Sequence, residues 1–585
     1  MTLHKVYTHL AVLALSVCSW GALATDVQAD TLIRNVMIFD ATGKAPFQAD
    51  VLLRNGRFES IGSHLTTPEG TQVVEGKGLS MLPGLIDVHV HWTNMGGVSR
   101  ADIATLLLQS GVTTATDYHS APESFNPKRQ WHKTLVSPHV IYTARTATPG
   151  GHGADWGDEN MTRLATSALE GQTAIKQLQP YQPDMIKVFA DGWRYGNRIN
   201  NSSINIDALS AITAEAKQLN LPVVTHTVTV DGAKTAAEAN VSAIVHAIQD
   251  RKADNELVSL MQSNKLYYAP TLAVYEPRPD KTQNNTKAQQ ALVMHRQAMS
   301  RYNLQLLAKA GIPIAVGTDS GIGATPFGES TLRELELLVD FGLTPAQAVI
   351  AGTANSAAVL GLKHDRGTIE VGKRADFVLV KGAPWKKIAD YRNTEYVFVD
   401  GNMVVKTGKL TTQQGPAAPM AVAANTVIDD FDSQDGLTTG MATRLAETDY
   451  GFPRSLVISQ PVTRSANNKA LHVSAKLAQK PQPYAYIVLP LNPGSVIPAD
   501  ASAFNGISFD IRGDGEEYIL EISSGTSKAN TSFTAGTDWQ TIEVPFSTLS
   551  QELESSQIYQ VKFGAKRASG QVFWFELDNV RFIAE

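Results

Sequence analysis

Two histidines separated by one residue are the first candidates for chemistry in this sequence of 585 residues. His89 and His91 close a short apolar run that is typical of a β-strand. Because alternate residues of a strand point to the same face, the two imidazoles project together and can bind one divalent ion. The pair is a weak signal alone, since roughly a third of one such pair is expected by chance in a chain with 14 histidines.

Four later apolar runs also end in a residue that can take part in a metal site. Lys187 lies 96 residues after His91, and His226 lies 39 residues after Lys187. His246 follows 20 residues later, and Asp319 follows after a further 73. These separations fit strand–helix units of about 30 or more residues. If the runs are strands of one barrel, all six side chains meet at its carboxyl-terminal mouth, where barrel active sites lie.

Composition narrows the kind of site and the class of protein. Cys18 is the single cysteine, so a disulfide framework and a thiolate metal site are excluded, and any metal must use histidine, carboxylate or a modified lysine. The formal net charge is -6, which gives nucleic-acid binding no electrostatic support. An apolar share of 43% and a charged share of 18% predict a folded core, and the length predicts several domains.

The N-terminus has the features of a secretory signal peptide over residues 1–24. Lys5 supplies a positive charge before the apolar run, and Ala22-Leu23-Ala24 offers small residues for cleavage. We therefore expect an exported protein, periplasmic or secreted. A lipoprotein anchored at Cys18 is the weaker alternative, because Val17 is bulky for that processing. No later stretch has the length and apolarity of an integral membrane span.

The segment 81–362 alternates short apolar runs with amphipathic stretches, which predicts a (β/α)8 TIM barrel. Ser99 is a candidate N-cap for a helix that stops at Gly111, and Pro345 follows Thr344 in the first turn of another. A doubly wound open sheet is the alternative, but a glycine-rich phosphate turn after the first strand is missing from the sequence. The eight runs are Gly84–Val90, Val112–Thr116, Pro138–Thr143, Met185–Phe189, Pro222–Thr225, Ala243–Val245, Leu266–Ala269 and Pro313–Val316.

Strand-like segments flank this barrel on both sides. Residues 31–80 and 363–415 carry short strands and the turn signal Asn55-Gly56, and together they predict one small β-sandwich domain. A linker rich in alanine and proline follows over residues 411–425. Residues 426–585 have short strands at close spacing, which predicts a separate all-β jelly-roll domain.

Several segments carry the motifs of a known family. Gly317-Thr318-Asp319-Ser320 follows the eighth run, and the others are Pro83–His91, Ala351–Leu362 and Gly367–Asp376. These motifs resemble the amidohydrolase superfamily, and within it the imidazolonepropionase-like group that includes metal-dependent prolidase-type carboxypeptidases. The resemblance covers about residues 31–410. One departure is His246-Ala247, where relatives commonly show His-Gly, and it puts the shape of the pocket in doubt rather than the ligand.

The resemblance implies a binuclear metal centre, with zinc as the expected metal. His89, His91 and Asp319 would hold one ion, and His226 and His246 would hold a second. Lys187, carboxylated by carbon dioxide, would bridge the two ions, because an unmodified ammonium offers no lone pair to a metal. The alternative is a Lys187 ammonium paired with Asp319 in a single-metal, deaminase-like site.

Such a centre implies hydrolysis of an amide bond by a metal-bridged hydroxide. Asp319 would move the proton from the water to the leaving nitrogen. His152, in the Gly150-Gly151-His152-Gly153 motif after the third run, is the candidate for stabilising the oxyanion, and an exposed loop histidine is the alternative. Tyr195 and Arg198 are candidates for binding a substrate carboxylate, with solvated loop residues as the alternative.

Substrate and partners are less constrained by the sequence. A small molecule, such as a dipeptide or an N-acyl amino acid, is the expected substrate by analogy alone, and lactones and phosphotriesters remain open. A mononuclear deaminase or cyclic amidohydrolase is the alternative enzyme. The segments Phe504–Gly513, Trp539–Phe546 and Phe573–Phe582 resemble the domain type named for complex I intermediate-associated protein 30, a galactose-binding-like jelly roll. A glycan- or protein-binding role for that domain, and a homo-oligomer, are left open.

Overall fold

The computed structural model describes residues 30–584 except 94–96, 155–159, 193–201, 279–281, 324, 434, 452 and 526. Its architecture confirms the predicted fold class: a parallel α/β barrel, a small sheet built from both sides of it, and a C-terminal all-β region. The predicted signal peptide and Cys18 lie outside the described residues. Within the described part of the chain, no helix is long and apolar enough to cross a membrane.

The N-terminal segment forms half of the small sheet. Asn55 and Gly56 take φ values of 51° and 73°, as the predicted hairpin turn between its second and third strands requires. Its strands are β1 (Thr31–Ile38), β2 (Phe47–Arg54), β3 (Arg57–Gly62), β4 (Gln72–Glu75) and β5 (Leu79–Pro83).

The barrel strands pair in parallel, and each except the short side strand β9 lies within or beside a predicted apolar run. The eighth run closes the barrel through backbone bonds rather than as a longer strand: Val88 N–H donates to Val316 O at 2.9 Å, and Ala315 N–H donates to Tyr268 O at 2.9 Å. The strands are β6 (Leu85–Asp87), β7 (Val112–Asp117), β8 (His139–Ala147), the short side strand β9 (Thr162–Leu164), β10 (Met185–Phe189), β11 (Val223–His226), β12 (Ala243–Val245) and β13 (Tyr267–Ala269).

Helices connect the barrel strands and begin at the kind of residues expected of helix N-caps. Ser99 closes a capping box with Asp102, and Thr344 does the same before Pro345. The helices are α1 (Arg100–Gln109), α2 (Phe125–His132), α3 (Ala168–Leu178), α4 (Ile206–Gln218), α5 (Val230–Glu238), α6 (Asn255–Ser263), α7 (Leu272–Tyr275), α8 (Lys287–Lys309), α9 (Glu329–Asp340), α10 (Pro345–Ile350) and α11 (Ser356–Val359).

The chain then returns to the small sheet, as the sequence predicts. The first returning strand pairs antiparallel with β5 and so joins the two halves into one nine-stranded sheet. The predicted linker over residues 411–425 is anchored to the barrel, because Gln414 Nε2 donates to the carbonyl oxygens of Ala101 and Val136 at 3.1 and 2.9 Å. The returning strands are β14 (Phe377–Lys381), β15 (Thr394–Val399), β16 (Asn402–Lys406) and β17 (Lys409–Leu410).

Two mainly antiparallel sheets form the C-terminal region and pack face to face around an apolar core, where the ring centroids of Phe509 and Phe563 lie 4.9 Å apart. Arg454 from this region donates to Ala154 O of the barrel at 3.0 Å. The strands are β18 (Val422–Ala423), β19 (Val427–Asp429), β20 (Leu445–Thr448), β21 (Leu456–Ser465), β22 (Asn468–Lys476), β23 (Tyr484–Pro490), β24 (Ala499–Asp500), β25 (Gly506–Gly513), β26 (Glu517–Ser524), β27 (Ser527–Thr534), β28 (Gln540–Pro545), β29 (Ile558–Lys566) and β30 (Val572–Ile583).

Candidate active site

A buried group of two histidines and one aspartate lies where β6 ends. His91 Nε2 is 2.9 Å from Asp319 Oδ1, and His89 Nε2 is 3.2 Å from the same oxygen. The two Nε2 atoms are themselves 3.2 Å apart. All three side chains are buried, so their ligand atoms converge on one small volume at the barrel mouth.

The fully buried carboxylate of Asp87 forms hydrogen bonds with both chain segments that carry this group. Its Oδ1 accepts the backbone N–H groups of His89 and Thr318 at 3.1 and 3.2 Å, and its Oδ2 accepts the hydroxyls of Thr318 and Thr331, both at 2.8 Å. Burial raises the pKa of Asp87 to about 6, and these hydrogen bonds oppose the rise. Asp87 therefore fixes the end of the first strand against the loop that follows the eighth.

Electrostatics favour the ligating forms of this group. Burial is the largest cause that lowers the pKa of His89 well below its usual range, with Lys187 adding to it, so this imidazole is neutral. Burial by itself would raise the pKa of Asp319, but the neighbouring His89 and His91 outweigh burial and hold this pKa well below its ordinary value. A neutral imidazole and an ionised carboxylate are the forms that bind metal.

A second buried group lies beside the first, around the end of β11. His226 Nε2 is 3.2 Å from Asp191 Oδ2, and its ring centroid is 4.1 Å from that of His152. The ring centroid of His246 lies 4.3 Å from that of His226 and 4.7 Å from that of His89. His246 thus links the two groups into one continuous site.

The backbone at His246 is left-handed, with φ at 82°. Ala247 is not among the residues with a positive φ, so the alanine that departs from the expected His-Gly pattern fits its backbone conformation. Thr271 Oγ1 lies 2.9 Å from His246 Nδ1 and orients the ring, although Thr271 also has a positive φ of 47°. Buried Glu334 supports that conformation by accepting the backbone N–H groups of Leu272 and Ala273 at 2.9 and 2.7 Å.

Lys187 projects from β10 into the same site. Its Nζ is 4.8 Å from the centroid of the Tyr118 ring and 5.4 Å from that of Phe189. Burial is the main cause that lowers its pKa to about 7. The single-metal alternative predicts an ion pair between Lys187 and Asp319. Among the described residues, no ion pair within 4 Å joins these two side chains.

The structure brings seven of the nine residues singled out from the sequence into this one site. His152 is 4% exposed, so it is not the exposed loop histidine that was the alternative. Tyr195 and Arg198 lie outside the described residues. Sequence reasoning missed Asp191 and Tyr118, although the alternation of Lys187, Phe189 and Asp191 along one strand could have revealed the first. The residues brought together are His89, His91, His152, Lys187, His226, His246 and Asp319.

The donor set fits divalent metal ions. Two ligand atoms held about 2.1 Å from one tetrahedral ion lie about 3.4 Å apart, which is close to the separations among His89, His91 and Asp319. The Nδ1 atoms of His89 and His91 are buried and have no hydrogen-bond partner among the described residues. Imidazole and carboxylate ligands suit zinc and neighbouring transition metals.

Comparison with known proteins agrees with this geometry. The sequence profile of the Amidohydrolase family matches residues 80–404, more than half of the chain. The chain belongs to the amidohydrolase family. It is therefore a metal-dependent hydrolase that acts on carbon–nitrogen bonds. The profile of Complex I intermediate-associated protein 30 matches residues 486–572, so this amidohydrolase carries that domain at its C-terminus.

Relatives of this amidohydrolase have several activities. An imidazolonepropionase of Deinococcus deserti is 24% identical over 58% of this chain and 87% of its own length. An adenine deaminase of Clostridium perfringens is 23% identical over 64% of this chain and 59% of its own length. A crystal structure of a Xaa-Pro dipeptidase with bound methionine in its active site has a TM-score of 0.56 and 22% identity, covering 64% of this chain and 99% of that one. That last likeness shows the fold alone.

Proposed function

We propose that this chain is an exported, binuclear amidohydrolase that cleaves the amide bond of a small molecule such as a dipeptide or an N-acyl amino acid. The observation that carries the proposal is the meeting of four imidazoles, Asp319 and Lys187 in one buried site. One structural neighbour is a Xaa-Pro dipeptidase, and two of the sequence relatives are an imidazolonepropionase and an adenine deaminase.

Each ion has its own set of residues in this proposal. His89, His91 and Asp319 would hold one ion, and His226 and His246 would hold the other. Lys187, carboxylated on Nζ, would bridge the two. Zinc ions bound there would lower the pKa of a water and polarise the substrate carbonyl. Lys187 Nζ lies over the ring of Tyr118, which packs against His89, and over the ring of Phe189, which packs against His226, and these contacts support the bridging role. Its buried surroundings favour the neutral amine that reacts with carbon dioxide.

The side chains of the site would move protons and exclude water. Both histidine contacts of Asp319 use Oδ1, so Oδ2 is the oxygen that would take a proton from the attacking water and return it to the leaving nitrogen. His152 would donate a hydrogen bond to the carbonyl oxygen as negative charge develops there. The rings of Tyr118 and Phe189 flank Lys187 and leave little room for bulk water.

A substrate screen tests this proposal most directly. The purified chain, loaded with zinc, is assayed for hydrolysis of dipeptides, N-acyl amino acids, lactones and cyclic imides. We expect turnover of an amide substrate, a loss of at least roughly 100-fold in kcat for Asp319→Asn, and little change for the exposed control Asp340→Asn. Turnover of a heterocyclic amine or cyclic amide by a one-zinc protein with unmodified Lys187 would support the mononuclear alternative instead.

Two further parts of the proposal have their own readouts. Export predicts a mature protein whose N-terminal sequence begins at Thr25, and an intact Met1 in the exported fraction would contradict it.

A glycan role for the C-terminal domain gains no support from Trp539, whose ring face is covered by the Arg464 guanidinium 4.0 Å from the centroid. A glycan array probed with the full chain tests that role separately.

A further inference from the structure

Asp191 is a buried carboxylate at the barrel mouth that the family motifs leave without a function. It lies two residues beyond β10, its side chain is fully withdrawn from solvent, and its Oδ2 is 3.2 Å from His226 Nε2. A buried carboxylate beside an imidazole is a donor pair that zinc and neighbouring metal ions use in proteins.

The backbone explains why this side chain faces the site. Side chains alternate along an extended strand, so Lys187, Phe189 and Asp191 project to the same side. The Ala190 N–H donates to His226 O at 3.0 Å and continues the pairing of the fourth and fifth strands beyond β10. Asp191 is thereby held beside His226, facing into the site.

Asp191 reproduces the chemistry of the first ligand group. His152, Asp191 and His226 are two imidazoles and one carboxylate, as are His89, His91 and Asp319. In both groups the ligand atoms lie within 4.8 Å of one another and all residues are buried. The 3.2 Å between His226 Nε2 and Asp191 Oδ2 matches the 3.2 Å between His89 Nε2 and Asp319 Oδ1.

We infer that Asp191 is a ligand of the second metal ion, sharing it with His226. This inference rests on the proposed function and adds to it. Without Asp191 the second ion would have two neutral imidazoles and, as its one protein anion, the carbamate of Lys187. Asp191 supplies an anionic oxygen that does not depend on carbon dioxide, so the second ion stays bound when Lys187 is unmodified.

Metal content tests the inference independently of activity. The full-length wild-type chain, Asp191→Asn and the control Asp340→Asn are each equilibrated with zinc, and bound metal is measured by mass spectrometry and by competition with a chromophoric chelator. We expect two ions in the wild type and the control. In Asp191→Asn we expect the first ion to remain, and the affinity for the second to fall at least tenfold.

A cysteine variant reports ligation directly. In Asp191→Cys loaded with cobalt, a thiolate bound to the ion gives a charge-transfer absorption band, and Asp340→Cys should give none. The wild-type chain has no other cysteine beyond Cys18 in the predicted signal peptide, so the band can be assigned to position 191. The same spectrum shows that the variant has folded and binds metal.

Two outcomes separate this inference from the function on which it rests. Two ions with wild-type affinity in Asp191→Asn, together with two cobalt ions and no thiolate band in Asp191→Cys, would overturn the ligand role of Asp191 and leave the binuclear amidohydrolase intact. A wild-type chain that binds one ion at saturating zinc would overturn both.

Discussion

Replacing Asp87 should loosen the first metal-ligand group although Asp87 itself binds no metal in our proposal. Asp87→Ala removes the acceptor of two backbone N–H groups and two hydroxyls. The hydroxyls of Thr318 and Thr331 can rotate toward other acceptors, and one of them already lies 3.5 Å from His89 O. The N–H groups of His89 and Thr318 cannot rotate in this way, and of the two only the Thr318 N–H has a second acceptor among the described residues, a long 3.4 Å contact to His89 O.

The size of the effect follows from these two N–H donors, one left without an acceptor and one left with only a long contact. A buried donor left without an acceptor costs about 1–3 kcal/mol, so Asp87→Ala should destabilise the mouth by roughly 2–4 kcal/mol after partial relaxation. Asp87→Asn is the matched control. Its Oδ1 can still accept both N–H groups, and its amide can donate to the two hydroxyl oxygens, so we expect a loss of less than about 1 kcal/mol.

Hydrogen exchange measured by mass spectrometry resolves this local change. Peptides that cover residues 85–92 and 316–320 should exchange roughly 30- to 800-fold faster in Asp87→Ala, which corresponds to 2–4 kcal/mol, while peptides from β26 should be unchanged. Equal exchange in Asp87→Ala and the wild type would refute the reasoning. An Asp87→Asn variant as unstable as Asp87→Ala would refute it too, because charge rather than hydrogen bonding would then hold the mouth.

Two further variants test the supports of the second ligand group. Burial raises the pKa of Glu334 to about 8, above its value in the unfolded chain. Between about pH 4.5 and 8 the folded state therefore binds more protons at this carboxyl than the unfolded state does. The contribution of Glu334 to stability falls as pH rises through that window. Glu334→Gln loses one acceptor of the backbone N–H groups of Leu272 and Ala273, which lowers its melting temperature by an amount that does not depend on pH. The melting temperature of the variant should nevertheless rise relative to that of the wild type as pH goes from 5 to 8.5, and a difference that stays constant with pH would contradict this. Thr271→Gly should relieve the left-handed strain at φ 47° and keep stability within about 1 kcal/mol. It should also lower the affinity for the second zinc ion about 10- to 100-fold, because His246 loses the hydrogen bond that orients its ring. Chelator competition would detect this loss.

Local rules predicted the elements that carry the candidate metal ligands. Strand alternation placed His89 and His91 on one face, and the Asn55-Gly56 pair and the Ser99 cap occur where the sequence indicated them. Repetition of strand and helix then brought residues as distant as His89 and Asp319 to one mouth. Each of these inferences depends on short-range geometry or on the regular order of a barrel, which the residue pattern contains.

Features that depend on contacts between distant loops were not predictable. The left-handed backbone of His246 and Thr271 is held by tertiary hydrogen bonds such as those to Glu334, and it has no local sequence signal. The linker contains Gln414, whose anchoring to the barrel depends on carbonyl groups more than 270 residues away. The alternation from Lys187 could have placed Asp191 in the site, but its contact with His226 appears only in the fold, where the two barrel strands lie side by side.

The central claim is that one buried mouth binds two divalent ions. Titration of the metal-free, full-length chain with zinc, followed by mass-spectrometric metal analysis, measures it directly. We predict two ions per chain in the wild type and a matching loss of the first ion in Asp319→Asn. A saturated value of one ion per chain or fewer would contradict the account, and so would an Asp319→Asn variant that binds as much zinc as the wild type.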